Sequence, residues 1–195
     1  MNNKLVWIDM EMTGLDPEKE VILEIATIVT DDKLKVEAEG PNMAINYPEE
    51  VLQGMEEWSQ IHHERSGLID RARTSTYDCK SAEKETLEFL SIHCKKGVSP
   101  LCGNSVWQDR RFLIKHMPNI EELFHYRNID VSSIKELVKR WYPSLPPFKK
   151  QKTHRALGDI NESIGELKYY RKNVFIPNPD KPEKCLKLRC RFQPA

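Results

Sequence analysis

Two acidic side chains end the first apolar segment of the sequence. Asp9 and Glu11 follow the apolar run over residues 5–8, and alternate side chains of a strand share a face. Two adjacent carboxylates repel each other, and a divalent cation such as magnesium or manganese relieves that repulsion through oxygen ligands. The alternative is a surface strand end with two solvated acids, and this short pattern alone does not decide between them.

Two further acids and a histidine add to this pattern. Asp109 lies in the first turn of a predicted helix that follows a short strand, and Asp159 follows His154 by five residues on the last predicted helix. Each has a plain structural explanation by itself, since an acid stabilises the first turn of a helix and isolated polar residues are mostly exposed. Together, four acids and one histidine at element ends are what a two-cation site with a general base requires.

The elements that must position these residues form an α/β pattern. Strands are predicted over residues 5–9, 21–30, 34–39, 43–47, 100–103 and 126–131, with a turn at Asp31-Asp32. Helices are predicted over residues 49–73, with a break near Ser66-Gly67, and over residues 81–94 and 107–116. A further helix is predicted to begin at Ser133, with Glu136 completing a capping box, and the last one to run to residue 172. Ser81 and Thr153 are the predicted caps of the 81–94 helix and the last helix. A strand meander followed by alternating strands and helices predicts a mixed sheet.

Length and composition bound the class of protein. The chain has 195 residues, 30 basic and 30 acidic side chains and 39% apolar residues, which suits one globular domain. No apolar run approaches the roughly 18 residues that span a bilayer. Because strand-like sequence begins almost at the N-terminus, we expect no signal or transit peptide and no membrane partner. Five cysteines, without a CxxC pair, predict reduced thiols and an intracellular protein.

Charge is unevenly distributed along the chain. Residues 1–60 carry 14 acidic and 4 basic side chains, whereas residues 140–195 carry 5 acidic and 13 basic ones. This gradient is compatible with a cation site beside a phosphate-binding rim. On charge alone, an ordinary solvated surface with a basic tail is the favoured explanation.

Several sequence blocks resemble the oligoribonuclease family. The similar blocks are residues 7–16, 38–41, 63 with 66–68, 103–105 with 108–113, 125–127, 130–132, 135–137, and 154–157 with 159–160 and 162–163. This family comprises small 3′→5′ exoribonucleases of the DEDD exonuclease superfamily that use a histidine base. Its members usually have two adjacent acids where this chain has Gly158-Asp159, and the second acid, which is the metal ligand, is present. Residues 140–143 and 154–157 look more like animal members than bacterial ones.

The resemblance implies a fold, a reaction and a metal site. The fold would be a ribonuclease-H-like exonuclease domain over residues 1–172, with a mixed five-stranded sheet flanked by helices, followed by a C-terminal tail over 173–195. Asp9, Glu11, Asp109 and Asp159 would hold two divalent ions, Mg²⁺ or Mn²⁺, and His154 would be the general base. The enzyme would hydrolyse very short oligoribonucleotides, especially dinucleotides, to nucleoside 5′-monophosphates.

The resemblance also implies a set of substrate-binding residues. Leu15 and Trp58 would wedge or stack against the bases. A group around the 5′ phosphate would explain the preference for very short RNA, and its members would be Ser105, Tyr126, Arg127 and Ser132. The full set is Leu15, Trp58, His63, Asn104, Ser105, Gln108, Tyr126, Arg127 and Ser132. In a homodimer, Tyr126 and Arg127 would reach the partner's site. Without the resemblance, Trp58 reads equally well as a half-buried core tryptophan.

Two other functions remain open at this point. One is a different exonuclease of the same superfamily, which the Gly103-Asn104-Ser105 and His125-Tyr126-Arg127 blocks disfavour. The other is a non-catalytic nucleic-acid-binding scaffold, which the retained acids and His154 disfavour. We expect a cytoplasmic protein, with mitochondria as the alternative, and the sequence does not settle the physiological metal or activity on DNA.

Overall fold

A computed structural model describes residues 4–150 and 155–176 of the chain. Within them the chain forms five strands and eight helices. In chain order they are β1 (Leu5–Met12), β2 (Ile22–Thr30), β3 (Val36–Ala44), α1 (Glu49–Gln53), α2 (Glu57–Arg65), α3 (Leu68–Thr74), α4 (Cys79–His93), β4 (Leu101–Gly103), α5 (Trp107–His116), α6 (Pro118–Glu121), β5 (Asn128–Asp130), α7 (Val131–Trp141) and α8 (Ala156–Asn173).

The strands form one mixed sheet in the order β3-β2-β1-β4-β5. β1 and β2 are antiparallel, as are β2 and β3, whereas β4 is parallel to both β1 and β5. The carboxyl ends of parallel strands meet at one sheet edge, where binding crevices of α/β proteins form. The predicted mixed five-stranded sheet is therefore confirmed, and its topology brings the ends of β1, β4 and β5 together.

The two faces of the sheet bury different residues of β1. Val6, Ile8 and Met10 pack with the face that α4 and α5 cover, whereas Trp7 packs with residues of α7 and α8. Because side chains alternate along a strand, Asp9 and Glu11 share the Trp7 face. The two acids therefore point towards α8, the helix that carries Asp159.

The predicted third and fourth strands are one strand, β3. The sequence predicts residues 34–39 and 43–47 as separate strands, and Gly40-Pro41 lies between them. β3 is an edge strand, where proline is tolerated, and register shifts opposite Ala26–Ile28 and Val29–Thr30 let its pairing with β2 continue. β5 is also shorter than predicted, since only Asn128–Asp130 pair with β4.

Helix starts were the least accurate part of the sequence prediction. The α4 cap is Asp78, whose side chain accepts from the backbone of Ser81, so Ser81 is the third helical residue rather than the cap. The predicted start of α7 at Ser133 is wrong because Asp130 caps the helix by accepting from the backbone N–H of Ser132. Thr153, the predicted cap of α8, lies outside the described residues.

The predicted break in the helical region over residues 49–73 agrees with the structure. Residues 49–73 form the helices α1 to α3, and α2 ends at the predicted break, where Gly67 has a φ of +72° that favours glycine. Gly158 lies inside α8 without interrupting it. Cys79, Cys94 and Cys102 are free thiols; Cys185, Cys190 and most of the predicted tail lie outside the described residues. In the described part of the chain, no helix is both long and apolar enough to cross a membrane.

Candidate active site at the carboxyl end of the central strand

Three carboxylates converge where β1 meets α8. Asp9 and Glu11 come from β1, and Asp159 comes from the first turn of α8. Each offers one oxygen, and these three oxygens lie within 4.8 Å of one another. The side chains are half-buried, so the cluster is open to a ligand on one side. The predicted neighbourhood of these acids is therefore present in the fold.

Asp109 attaches the first turn of α5 to the same strand. Its Oδ1 accepts a hydrogen bond of 3.2 Å from the backbone N–H of Met10, the residue between Asp9 and Glu11. Asp109 is buried, and its carboxylate is not among the three that share the 4.8 Å group. The structure thus brings three of the four predicted ligands to ligand spacing and fixes the fourth beside them.

The electrostatics of the cluster favour a bound cation. Burial raises the pKa of Asp9 well above its usual range, and repulsion from Asp109, Glu11 and Asp159 raises it further. Burial and repulsion from Asp159 raise the pKa of Glu11 to about 8. Burial also raises the pKa of Asp109 to about 8, although the hydrogen bond from Met10 opposes this. An all-oxygen donor set whose negative charges repel one another fits a hard divalent cation such as Mg²⁺ or Mn²⁺.

His63 lies behind this cluster rather than on an open surface. It is buried on α2, and its Nε2 donates to the carbonyl oxygen of Met12 at 2.9 Å. Its Nδ1 lies 3.9 Å from Glu11 Oε2. The imidazole therefore supports the end of β1, and its predicted contact with substrate stays a prediction.

Leu15 and Trp58 are exposed apolar side chains. Leu15 is 69% exposed, on a loop whose ends are joined by hydrogen bonds between Thr13 and Val21. Gln108 Nε2 donates to the Leu15 carbonyl oxygen at 2.6 Å, so this predicted substrate residue orients the loop. Trp58 is 60% exposed and stacks on His62 with ring centroids 3.9 Å apart. Trp58 is therefore not a core residue, and the side chains of both Leu15 and Trp58 are accessible to a nucleobase.

A second polar cluster lies at the ends of β4 and β5. Asp130 Oδ1 accepts from the backbone N–H of Ser105 at 3.0 Å and from Ser132 Oγ at 2.6 Å. The two serine hydroxyls lie 3.5 Å apart. Ser105 has a φ of +53°, a backbone conformation that few non-glycine residues adopt and that often occurs at functional sites. The structure thus brings Ser105 and Ser132 together, as predicted.

Asn104 points away from this serine cluster. Its Nδ2 donates to Ser163 Oγ at 2.7 Å, and Ser163 in turn donates to the carbonyl oxygen of Asp159 at 2.8 Å. This chain of hydrogen bonds joins β4 to the first turns of α8. The amide nitrogen of Asn104 therefore has a structural role, and a contact of Asn104 with substrate stays a prediction.

Tyr126 and Arg127 project into solvent from the segment before β5. Both are exposed, and the Arg127 guanidinium lies 5.2 Å from the centre of the Tyr126 ring. Arg110 holds their backbone, since its Nη1 donates to the carbonyl oxygens of His125 and Tyr126 at 3.0 and 3.2 Å. The pair is thus presented outwards on an anchored backbone. Sequence reasoning did not identify this role of Arg110.

Glu24 is the other residue that sequence reasoning missed. It is a buried acid on β2, directly opposite Glu11 in the strand pairing. Its Oε2 accepts from the backbone N–H of Ala156 at 3.3 Å, and its Oε1 lies 3.6 Å from Arg155 Nε. His154, the predicted base, lies outside the described residues, but the residues that follow it are fixed beside the cluster. One charged residue within an otherwise apolar strand was the available signal.

Comparison with known proteins identifies the family. A family model described as an exonuclease, RNase_T, matches residues 6–167. An oligoribonuclease from Shewanella loihica is 59% identical over 172 residues, which cover 88% of this chain and 95% of that protein. The chain belongs to the oligoribonuclease family. An oligoribonuclease family member from Dichelobacter nodosus is 56% identical over 177 residues, which are 91% of this chain and 97% of the relative.

Solved structures confirm the exonuclease fold. Exonuclease I from Methylocaldum szegediense superposes with a TM-score of 0.65 at 16% identity, over 88% of this chain and 41% of that structure. An E. coli exonuclease I structure with a 5cy-dT13 oligonucleotide gives a TM-score of 0.68 at 14% identity, over 89% of this chain and 41% of that structure. The chain thus spans about two fifths of those structures' length. At this identity they establish the fold alone.

Oligoribonuclease family membership also settles the enzyme class. The chain is a hydrolase, a metal-dependent exonuclease, with an acidic cluster at the expected place. The enzyme class disfavours the hypothesis of a non-catalytic scaffold. Membership in the oligoribonuclease family also decides against a different exonuclease of the superfamily. The relatives given above are bacterial, and the animal-like character of residues 140–143 and 154–157 stays a prediction.

Proposed function

We propose that this member of the oligoribonuclease family is a 3′→5′ exoribonuclease of very short oligoribonucleotides, above all dinucleotides. Its products would be nucleoside 5′-monophosphates. The observation that carries the proposal is the convergence of Asp9, Glu11 and Asp159 within 4.8 Å, with Asp109 bonded to the same strand. The relatives' name, oligoribonuclease, supports the substrate class.

The four acids would hold two divalent ions, Mg²⁺ or Mn²⁺. When bound, such ions stabilise the charge on the attacking and leaving oxygens of an in-line phosphodiester displacement. His154 would accept the proton of the attacking water, since an imidazole with an unperturbed pKa of about 6.5 suits a general base near neutral pH. His63, 3.9 Å from Glu11, would keep that carboxylate in place.

Leu15 and Trp58 would bind the bases of the substrate. Both are exposed apolar side chains, and Gln108 fixes the Leu15 loop from α5. Stacking of a base on an aromatic ring contributes about 1–3 kcal/mol and depends little on base identity. This part of the site would thus hold short RNA of any sequence.

The serine cluster and the partner's Tyr126-Arg127 pair would enclose the 5′ phosphate. Ser105 and Ser132 place two hydroxyl groups at the ends of β4 and β5, and an arginine fork binds phosphate oxygens with two hydrogen bonds. Tyr126 and Arg127 are exposed, as residues that reach a second protomer must be. A homodimer would therefore complete each site, and a closed 5′ end would exclude long RNA.

A time course with two substrates tests the proposed function. Wild-type protein and Asp109→Ala are incubated with magnesium and either a 5′-labelled diribonucleotide or a labelled ten-mer. We expect rapid conversion of the dinucleotide by wild type only, and slower cleavage of the ten-mer. Equal rates on the two substrates would contradict the closed 5′ end and indicate a general exonuclease. No cleavage of either would contradict the enzyme.

The proposed compartment is the cytoplasm, with mitochondria as the alternative. The three described cysteines are free thiols, and reduced cysteines are the norm in reducing compartments. Fractionation of cells with an antibody against the chain distinguishes the two locations.

A further inference from the structure

Arg110 is a largely buried arginine on α5, next to the proposed metal ligand Asp109. Its side chain is 14% exposed, and a charge in such a place is costly unless it is paired and hydrogen-bonded. In the part of the chain that the structure describes, the hydrogen-bond acceptors of its guanidinium all lie within residues 121–128. Arg110 therefore connects the helix of the acidic site to the segment that carries Tyr126 and Arg127.

One side of the Arg110 guanidinium is fixed by a carboxylate. Glu121 Oε1 accepts from Arg110 Nε at 3.1 Å and from Nη2 at 2.7 Å. Glu121 is the last residue of α6, and its side chain is only 25% exposed. Charge-assisted hydrogen bonds of this kind are about twice as strong as neutral ones and add geometric specificity. The remaining nitrogen, Nη1, is therefore held in a defined direction.

Arg110 Nη1 contacts the chain on both sides of Arg127. It donates to the carbonyl oxygens of His125 and Tyr126 at 3.0 and 3.2 Å. It also donates to Asn128 Oδ1 at 2.7 Å, at the first position of β5. Arginine suits this task because its planar group offers five donors in a fixed geometry, which a lysine ammonium cannot reproduce. A single guanidinium therefore fixes the backbone around the exposed pair.

The directions of the Tyr126 and Arg127 side chains depend on this backbone. The Tyr126 ring lies 4.3 Å from the His125 ring and 5.2 Å from the Arg127 guanidinium. The backbone N–H of Arg127 donates to His125 Nδ1 at 3.1 Å. These contacts are local, so the pair moves with its segment. The backbone N–H of His125 also donates to the Ser99 carbonyl oxygen at 2.9 Å, so loss of the Arg110 contacts should loosen the segment without detaching it.

We propose that Arg110 is a positioning residue for substrate length, which holds Tyr126 and Arg127 in the arrangement that reaches the 5′ phosphate of a very short RNA. The proposal rests on the proposed function, in which this pair encloses that phosphate. Arg110 itself would not touch the substrate, since acceptors of its own chain occupy its guanidinium. A looser segment would place the arginine fork less accurately, and a misplacement of about 1 Å can lower a rate about 100-fold.

Two other roles for Arg110 make different predictions. The first is action through its neighbour Asp109, whose Oδ1 accepts from the backbone N–H of Met10. A displaced Asp109 would slow cleavage of RNA of every length and raise the magnesium requirement. The second is a contribution to folding alone, which would lower the melting temperature and leave the ratio of the rates on short and long RNA unchanged. A loss confined to very short RNA is specific to the positioning role.

The experiment compares Arg110→Lys with the matched control Arg73→Lys. Arg73, on α3, also donates through Nε and Nη2 to one carboxylate, that of Glu49, and through Nη1 to a further acceptor, Asp70. Each substitution is made in wild-type protein and in Arg127→Ala protein. The double variants show whether Arg110 acts through Arg127, because residues that act through one another have non-additive effects.

Three quantities are measured for each protein. The first is kcat/KM for a 5′-phosphorylated diribonucleotide and for a 5′-phosphorylated ten-mer. The second is the magnesium concentration for half-maximal rate. The third is hydrogen–deuterium exchange of peptides that span residues 122–130, which reports the freedom of the segment without any substrate.

We expect Arg110→Lys to lower kcat/KM on the dinucleotide about tenfold, because the segment places Arg127 less accurately. The ten-mer value and the magnesium requirement should change by less than about twofold, and exchange of the 122–130 peptides should become faster. In Arg127→Ala protein the same substitution should lower the dinucleotide value about threefold or less. Arg73→Lys should match wild type in every quantity.

Three results would overturn the positioning role. One is an equal loss on both substrates with a raised magnesium requirement, which would assign Arg110 to the support of Asp109. Another is the same loss on the dinucleotide in both backgrounds. The third is a wild-type ratio of the two rates in Arg110→Lys while Arg127→Ala remains selective. If Arg127→Ala itself shows no selective loss, the proposed enclosure of the 5′ phosphate is wrong, and the positioning role falls with it.

A second variant decides the matter if circular dichroism shows that Arg110→Lys does not fold. Asn128 is exposed, and Asn128→Ala removes one acceptor of Arg110 Nη1. Loss of this hydrogen bond should lower kcat/KM on the dinucleotide about two- to tenfold and leave the ten-mer value unchanged. An unchanged ratio of the two values in Asn128→Ala would overturn the proposal.

Discussion

The acidic cluster and the Tyr126-Arg127 pair are two polar regions built in opposite ways. Asp9, Glu11 and Asp159 are half-buried, come from regular elements of one chain and are brought together by the sheet topology. Tyr126 and Arg127 are exposed, project from a connecting segment and contact each other and His125. Under the proposed function, the single chain would carry out the bond-breaking chemistry, and an assembly of two chains would select short RNA.

The largest expected effect comes from the acidic cluster. Substitution of Asp109 by Asn should lower the rate on both the dinucleotide and the ten-mer by at least about 100- to 1,000-fold, since it removes a proposed ligand of the ions that would stabilise transition-state charge. Initial rates with both substrates check this. Asp32→Asn, in an exposed turn, is the matched control and should retain wild-type rates. A loss of rate on only one substrate would contradict the assignment of the cleavage chemistry for both substrates to the acidic cluster.

The next effect should be selective for substrate length. Under the proposed function, replacement of Arg127 by Ala would remove charge-assisted hydrogen bonds to the 5′ phosphate, each worth about 1.5–3 kcal/mol. The rate on the dinucleotide should therefore fall about 10- to 100-fold, and the ten-mer rate should change much less. Arg140→Ala, an exposed arginine on α7, is the control. An equal loss of rate on both substrates would show that Arg127 contributes to the cleavage of any RNA and not to the selection of short RNA.

A smaller effect should come from the base-binding side chains. Loss of the Trp58 ring in Trp58→Ala should weaken dinucleotide binding about tenfold, because stacking contributes about 1–3 kcal/mol. Trp58→Phe keeps a stacking surface and should recover most of the binding. Equilibrium binding to Asp109→Asn protein, which should not consume the substrate, measures both. Unchanged binding in Trp58→Ala would remove Trp58 from the site.

The smallest effect concerns stability and pH without metal. The folded-state pKa of Glu11 is about 8, above its usual 4.5, so the stability that its protonated form contributes is fully present below about pH 4.5 and is lost as the pH rises towards 8. Thermal unfolding in a chelator should therefore show a wild-type melting temperature that falls over this range more than that of Glu11→Gln. A change of 1 kcal/mol corresponds to about 2–4 °C at this chain length. Parallel curves for the two proteins would contradict the raised pKa.

The acidic site was predictable because its signals are local and periodic. Asp9 and Glu11 follow an apolar strand at a spacing of two, and Asp109 and Asp159 lie in first helical turns. Such patterns follow directly from strand and helix geometry. The mixed sheet was also predictable, since its strands are apolar runs in a recognisable order.

What the sequence did not reveal depends on long-range contacts. The pairing of Glu24 with Ala156 spans 132 positions, and Arg110 reaches the backbone of His125 and Tyr126 from another element. The joining of two predicted strands into β3 depends on its place at the sheet edge, which no local signal records. Helix starts failed for a similar reason, because Asp130 and Asp78 competed with nearby serines for the cap.

The most direct test of the account is complementation between two variants that are both expected to cleave the dinucleotide poorly. Asp109→Asn and Arg127→Ala are co-expressed, and the mixed protein is assayed on a labelled diribonucleotide. In a mixed dimer, the Arg127→Ala protomer keeps its acidic cluster and receives Arg127 from its partner. Random pairing in a symmetric dimer then restores about one quarter of the wild-type sites, and we predict that activity. No recovery above the sum of the separate variants would contradict a site shared between two chains.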